Sequence, residues 1–168
     1  MEDREVYWIE EIGREHNGLV GKKSANLGEA LKVAGIRVPI GFVISLRAYE
    51  RFINETGIDR EIYPYLRQNI LEGIDPANLE QLKLVSLALR NIVESKGMPP
   101  AMKENIASYY KALCDKCAAT DIAVSVRSAG VESHPGQYET YLNVKGIEQV
   151  LQKVIKVWSS IYNTRSIS

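Results

Sequence analysis

Val6-Tyr7-Trp8-Ile9-Glu10-Glu11-Ile12, a Gly- and charge-rich stretch from Gly13 to Lys23, and then Ser24-Ala25-Asn26-Leu27-Gly28-Glu29-Ala30-Leu31-Lys32-Val33-Ala34-Gly35 decide the fold. The first part alternates apolar and polar residues, which predicts a short strand, and the second reads as a loop. Ser24 can accept a backbone N–H bond and Gly35 can take a left-handed stop, so the third predicts a helix from Ser24 with Leu27, Leu31 and Ala34 on one face. Arg37 to Ser45 follows as a strand entered through a kink at Pro39 and Gly41. Ser45 then caps a helix over Leu46 to Thr56, where Ala48, Tyr49, Phe52 and Ile53 fall together. Strand, loop, helix and strand in this order predict a mixed fold of α and β elements.

Outward toward the C-terminus, the sequence predicts a helical section at about 57–118. Asp75 and Pro76 supply a cap and a first-position proline for a helix ending near Gly97, with Leu79, Leu82, Ser86, Leu89 and Val93 as its buried stripe. Pro99 and Pro100 open another helix to about Ala118, giving an antiparallel pair across a short turn. The only cysteines, Cys114 and Cys117, have C-x-x-C spacing. With no second Cys or His pair nearby they read as packing, Cys117 extending the stripe Met102, Ile106, Tyr109, Leu113. Ile122 to Val126 and Thr140 to Val144 predict two neighbouring strands around a Gly- and Ser-rich loop. Ile147, Leu151, Val154, Trp158 and Ile161 then recur at helical spacing. No glycine or proline stop closes that helix, a pattern that fits a chain whose remaining domain lies elsewhere and also a helix that reaches a natural terminus.

Composition restricts the function classes. The 168 residues are 45% hydrophobic and 25% charged, which suits a soluble domain with its own core. Lys plus Arg balance Asp plus Glu at 21 each, so a general nucleic-acid-binding field is excluded and any phosphate recognition must be local. No apolar run reaches a membrane span and the start is not signal-like, so no membrane role and a cytoplasmic location are expected.

Two segments carry chemistry. Leu19-Val20-Gly21-Lys22-Lys23-Ser24 puts ammonium groups beside a helix start, where backbone N–H groups and the helix dipole favour polyphosphate. It is not a Walker loop, because a glycine is missing and the spacing differs. A solvated basic turn is the alternative reading. Val124-Ser125-Val126-Arg127-Ser128-Ala129-Gly130 ends a strand on a guanidinium fork beside hydroxyls and a flexible loop, which also suits phosphate. The alternative is an arginine paired with a carboxylate.

These segments, with Val38-Pro39-Ile40-Gly41-Phe42 and Trp158-Ser159-Ser160-Ile161-Tyr162-Asn163-Thr164-Arg165, resemble the N-terminal ATP-binding region of the phosphoenolpyruvate synthase and pyruvate phosphate dikinase family. Rifampin phosphotransferases and phenylphosphate synthases are related. The resemblance implies an α+β fold, the first lobe of an ATP-grasp-like nucleotide-binding domain with a helical insertion, spanning residues 1–168. It implies that Lys23 and Arg127 act on the ATP phosphates as catalytic clamps, and that Gly136 and Thr140 contact the nucleotide. Lys22 stands where the family has its second glycine. Arg127 to Asn143 has dikinase spacing, while Gln137, Glu139, Thr140, Tyr141 and Asn143 read like the synthases.

The resemblance also implies ATP and Mg2+ as cofactors, with the magnesium carboxylates outside these residues. Its partners would be the remaining ATP-grasp lobe and a phosphohistidine domain, in cis or on a separate subunit. Without them this chain alone is expected to be inactive. His16 and His134 are not in a phosphohistidine context, Glu132 and Glu139 read as solvated or structural, and Tyr138 and Tyr141 as packing. An alternative from another class is a non-catalytic module of the same fold that senses a nucleotide or docks a partner.

Overall fold

The computed structural model describes residues 4–71, 73, 75, 77–129 and 139–164. In chain order they form β1 (Val6–Trp8), α1 (Asn17–Val20), α2 (Lys22–Ala34), β2 (Phe42–Ile44), α3 (Leu46–Thr56), α4 (Ile58–Leu71), α5 (Leu79–Glu94), α6 (Pro100–Lys116), β3 (Val124–Arg127), β4 (Thr140–Val144) and α7 (Ile147–Ser159), with 3-10 turns at Ile9–Glu11, Arg14–His16 and Ser160–Tyr162. The architecture is α+β, with β1 antiparallel to β2 and β3 antiparallel to β4 in two small sheets. Among the described residues, no helix is long and apolar enough to cross a membrane.

The first sheet separates scaffold from loop. Side chains alternate across a strand, so Val6 enters the main core with Phe52, Ile58, Leu89, Val93, Met102 and Ile106, which ties α3 through α6 together. Its neighbour Tyr7 points the other way, into a second cluster with Ile12, Val20, Ala25 and its cross-strand partner Val43. Each face of β1–β2 is therefore buried by a different part of the chain. A third cluster, Tyr110, Cys114, Val144, Val150 and Val154, seats the second sheet on α6 and α7.

Several elements differ from the sequence reading. The strand expected over Val6 to Ile12 turns after Trp8 into the 3-10 turn, because the Glu11 carboxylate accepts the Trp8 N–H at 2.8 Å. The strand expected over Arg37 to Ser45 is confined to Phe42–Ile44, beyond Pro39 and Gly41. Helix α2 begins at Lys22 rather than at Ser24, and Ser24 is buried inside it. Its buried face is Ser24, Ala25 and Gly28 instead of Leu27, Leu31 and Ala34. A Cβ on Gly28 would lie 2.2 Å from the Ile12 carbonyl oxygen, so the small-residue face is what lets α2 lie directly on the chain after β1.

Ser45 does cap α3, accepting the Ala48 N–H at 3.4 Å. The cap of α5 is Asn78, which accepts the Gln81 N–H at 3.2 Å, while Asp75 instead closes a turn onto Ala77 N–H; Pro76 lies outside the described residues. Leu79 is consequently at the helix margin and exposed, while Leu82, Ser86, Leu89 and Val93 are buried as expected, joined by Val85. Helix α5 packs chiefly along α7, so the expected α5–α6 pair is not its main contact. In α6 the buried stripe is Met102, Ile106, Tyr110, Leu113 and Cys114, with Cys117 half-buried at its end.

Candidate functional site

Gly21 sets the first half of the site. Its φ of 80° and ψ of 153° are open essentially to glycine alone, and they swing the chain from α1 directly into α2. Lys22 and Lys23 are then the first two helical residues, at the end where the helix dipole is positive. Lys22 is not among the described residues with positive φ, so a lysine there takes nothing from the turn that its glycine counterpart would have supplied. His16 braces the approach: its Nδ1 accepts the Gly13 N–H at 3.0 Å.

The second half is the β3–β4 pair. Val124 and Val126 are half-buried while Ser125 and Arg127 are exposed, so Arg127 ends a one-sided strand. Arg127 lies opposite Thr140, and Val126 opposite Tyr141. The register then shifts by one before Val124 meets Val144, and Asn143 has a φ of 54°. Asparagine tolerates that left-handed conformation, so Asn143 serves a β-bulge that twists the pair. Tyr110 fixes the inner end: its hydroxyl donates to the Ile122 carbonyl at 2.9 Å and accepts the Gly146 N–H at 2.9 Å.

Between the two halves runs a cleft of about 1130 Å3. Gly21, Lys23 and Ser24 line it from the first half, and Arg127 and Ser128 from the second. Its walls are apolar, from Val38 through Ile44 on one side and Val124, Val126, Val154 and Trp158 on the other. Leu27, expected on the buried face of α2, also faces this space. A cleft of this size with apolar walls and a few basic and hydroxyl groups is what a nucleotide-sized ligand requires. Both heads are exposed, and a phosphate is better matched by the planar fork of Arg127 and the point charge of Lys23 than by either alone.

Thr140 is exposed and is not among the lining residues, although its backbone faces Arg127. Gly136 lies outside the described residues, as do Glu132, His134 and Tyr138. Glu139 is held in a salt bridge: Arg90 Nη1 is 2.7 Å from its Oε1, and Arg90 Nη2 donates to its Oε2 at 2.9 Å. Burial raises the Glu139 pKa, but Arg90 and the Tyr141 hydroxyl outweigh it and hold the carboxyl below its ordinary range. Sequence reading did not find Arg90, because its partner Glu139 lies 49 residues away and no local spacing links the two. Among the described residues, no group of three His, Cys, Asp or Glu side chains could hold a metal ion.

Residues 17–168 match the pyruvate phosphate dikinase, AMP/ATP-binding domain. The phosphoenolpyruvate synthase of Aeropyrum pernix is 40% identical over 174 aligned residues, covering 100% of this chain and 21% of that protein. The probable phosphoenolpyruvate synthases of Archaeoglobus fulgidus and Methanothermobacter thermautotrophicus are 39% and 34% identical over 96% of this chain, covering 21% and 24% of their own lengths. The chain thus spans between a fifth and a quarter of these relatives. It belongs to the pyruvate phosphate dikinase AMP/ATP-binding domain family.

Proposed function

We propose that this chain is the phosphate-gripping first lobe of an ATP-grasp-like domain in a phosphotransferase of the phosphoenolpyruvate synthase type. The reading is carried by one observation: Lys23 and Arg127, more than a hundred residues apart in sequence, line one cleft. In this reading the Lys23 ammonium and the Arg127 guanidinium hold the ATP phosphates and offset charge that builds on their oxygens during transfer. Gly136 and Thr140 complete the nucleotide contacts. The apolar walls take the base and ribose and keep water from the transferring group.

Magnesium would bridge and neutralise the phosphates. In this reading its carboxylate ligands lie on another part of the protein, while Lys23, Ser24, Arg127 and Ser128 bring cations and hydroxyls to the cleft. The phosphoryl group would pass from ATP to a histidine on a separate domain, and from there to the final acceptor. The test is calorimetric titration of the full-length protein with ATP. A charge-assisted hydrogen bond contributes about 1.5–3 kcal/mol, so Lys23→Ala and Arg127→Ala should each weaken binding roughly 10- to 100-fold. Equal affinity in all three proteins would remove both assignments.

A further inference from the structure

We propose that Arg90 is a positioning residue for the phosphate-gripping strand pair: its guanidinium fork fixes Glu139, and through it the Arg127–Thr140 end of β3–β4. This rests on the reading of Arg127 as a phosphate ligand.

A two-stranded sheet is marginal in water unless packing holds it. The inner end here is held, since Val144 is 2% exposed and Tyr110 bonds both Ile122 and Gly146. The outer end presents Arg127 and Thr140 to solvent, with Val126 and Tyr141 behind them packed on the third cluster. Among the described residues, Glu139, just before β4, adds a charged anchor there. Both of its oxygens are taken by the Arg90 fork, at 2.7 and 2.9 Å, and Tyr141 Oη also donates to Oε2.

Arg90 is a firm post. Its neighbours along α5, Leu89 and Val93, are each 0% exposed in the main core. Glu94 approaches the guanidinium at 3.6 Å and itself accepts Ser159 Oγ at 2.6 Å, which ties the fork to α7. A planar bidentate pair fixes direction as well as distance, which a single ammonium does not. The direction fixed is that of the backbone at Glu139–Thr140, and Arg127 is paired to it across the sheet.

The experiment is a double-mutant cycle on ATP affinity in the full-length protein, with Arg90→Gln, Arg127→Ala and both together. If Arg90 acts through Arg127, Arg90→Gln alone should weaken ATP binding on the order of tenfold, and should add less than about twofold once Arg127 is already alanine. Glu139→Gln should reproduce the Arg90→Gln loss without adding to it. If Arg90→Gln does not fold, Arg90→Lys runs the same cycle, keeping the charge but losing the fork. An Arg90 change that leaves affinity unaltered, or weakens it equally in both backgrounds, overturns the proposal while leaving Arg127 as a ligand. An Arg127→Ala protein that binds ATP like the parent removes the premise and overturns both.

Discussion

Arg127 and Thr140 face each other across the β3–β4 pair, one step beyond Val126 and Tyr141. That register sends Arg127 to the exposed side of the strand and into the cleft that Lys23 lines from α2. The two cations reach one space because two small sheets, each seated on the same helical scaffold, flank it.

At Gly28, helix α2 lies directly on the backbone of Ile9 and Ile12. Gly28→Ala should destabilise the protein by about 1–3 kcal/mol, since its methyl would meet backbone and not a side chain that can swing away. Denaturant unfolding measures this, and an unchanged midpoint would contradict the close approach.

Gly21 and Lys22 should behave oppositely although they are adjacent. Gly21→Ala forces an L-residue to a φ of 80°, which costs on the order of 1–3 kcal/mol and should weaken ATP binding by tilting Lys23. Lys22→Gly acts at the first helical residue and should cost at most about 1 kcal/mol with binding retained. Paired melting curves and titrations decide it; similar losses in both variants would put the conformational demand at the wrong residue.

The Tyr110 hydroxyl serves two backbone groups, and Tyr110→Phe leaves both the Ile122 carbonyl and the Gly146 N–H without it. A loss of about 1–3 kcal/mol is expected, with faster amide hydrogen exchange at the inner end of β3–β4. Exchange that speeds up only in α5 would locate the effect elsewhere.

What the sequence made legible follows from what is local. The Ser45 cap of α3, the bounds of β4 and the helical period of α7 are set by neighbouring residues, and they stand as read. Leu27 was read onto the wrong face because periodicity ranks residues by apolarity, whereas α2 needed small residues at its closest contact. The α5 cap was placed at Asp75 because an Asp-Pro pair looks like a helix start, yet Asn78 is the residue that accepts from the helix. At the site, Lys23 and Arg127 were singled out from their own segments, and the structure places both on one cleft. The Arg90–Glu139 pair was not, because it joins residues 49 apart and no local pattern encodes it.

Glu139 gives the outer end of the hairpin a pH dependence. Burial pushes its carboxyl up, but Arg90, Tyr141 and the nearby Lys156 hold it below the ordinary value in the folded state. A depressed carboxyl stabilises the fold above the unfolded pKa and loses that contribution as pH falls through the folded one. Tyr141, pushed up to about 12 by burial and then by Glu139, stays a donor throughout. Glu94 also faces the pair, and Lys153 sits 4.6 Å from the Tyr141 ring centre. The stability gap between the parent and Glu139→Gln should therefore be full at pH 7 and shrink as pH drops below about 4.3. Urea midpoints across that range measure it, and a gap that stays constant down to pH 3 would contradict the pairing.

The most direct measurement is a crystal structure of the full-length protein with a non-hydrolysable ATP analogue. The prediction is that Lys23 Nζ and the Arg127 guanidinium each lie about 2.7–3.2 Å from phosphate oxygens of the same nucleotide, seated in the cleft between the two sheets. A nucleotide bound outside that cleft, or touching one of the two residues while the other points to solvent, would contradict it.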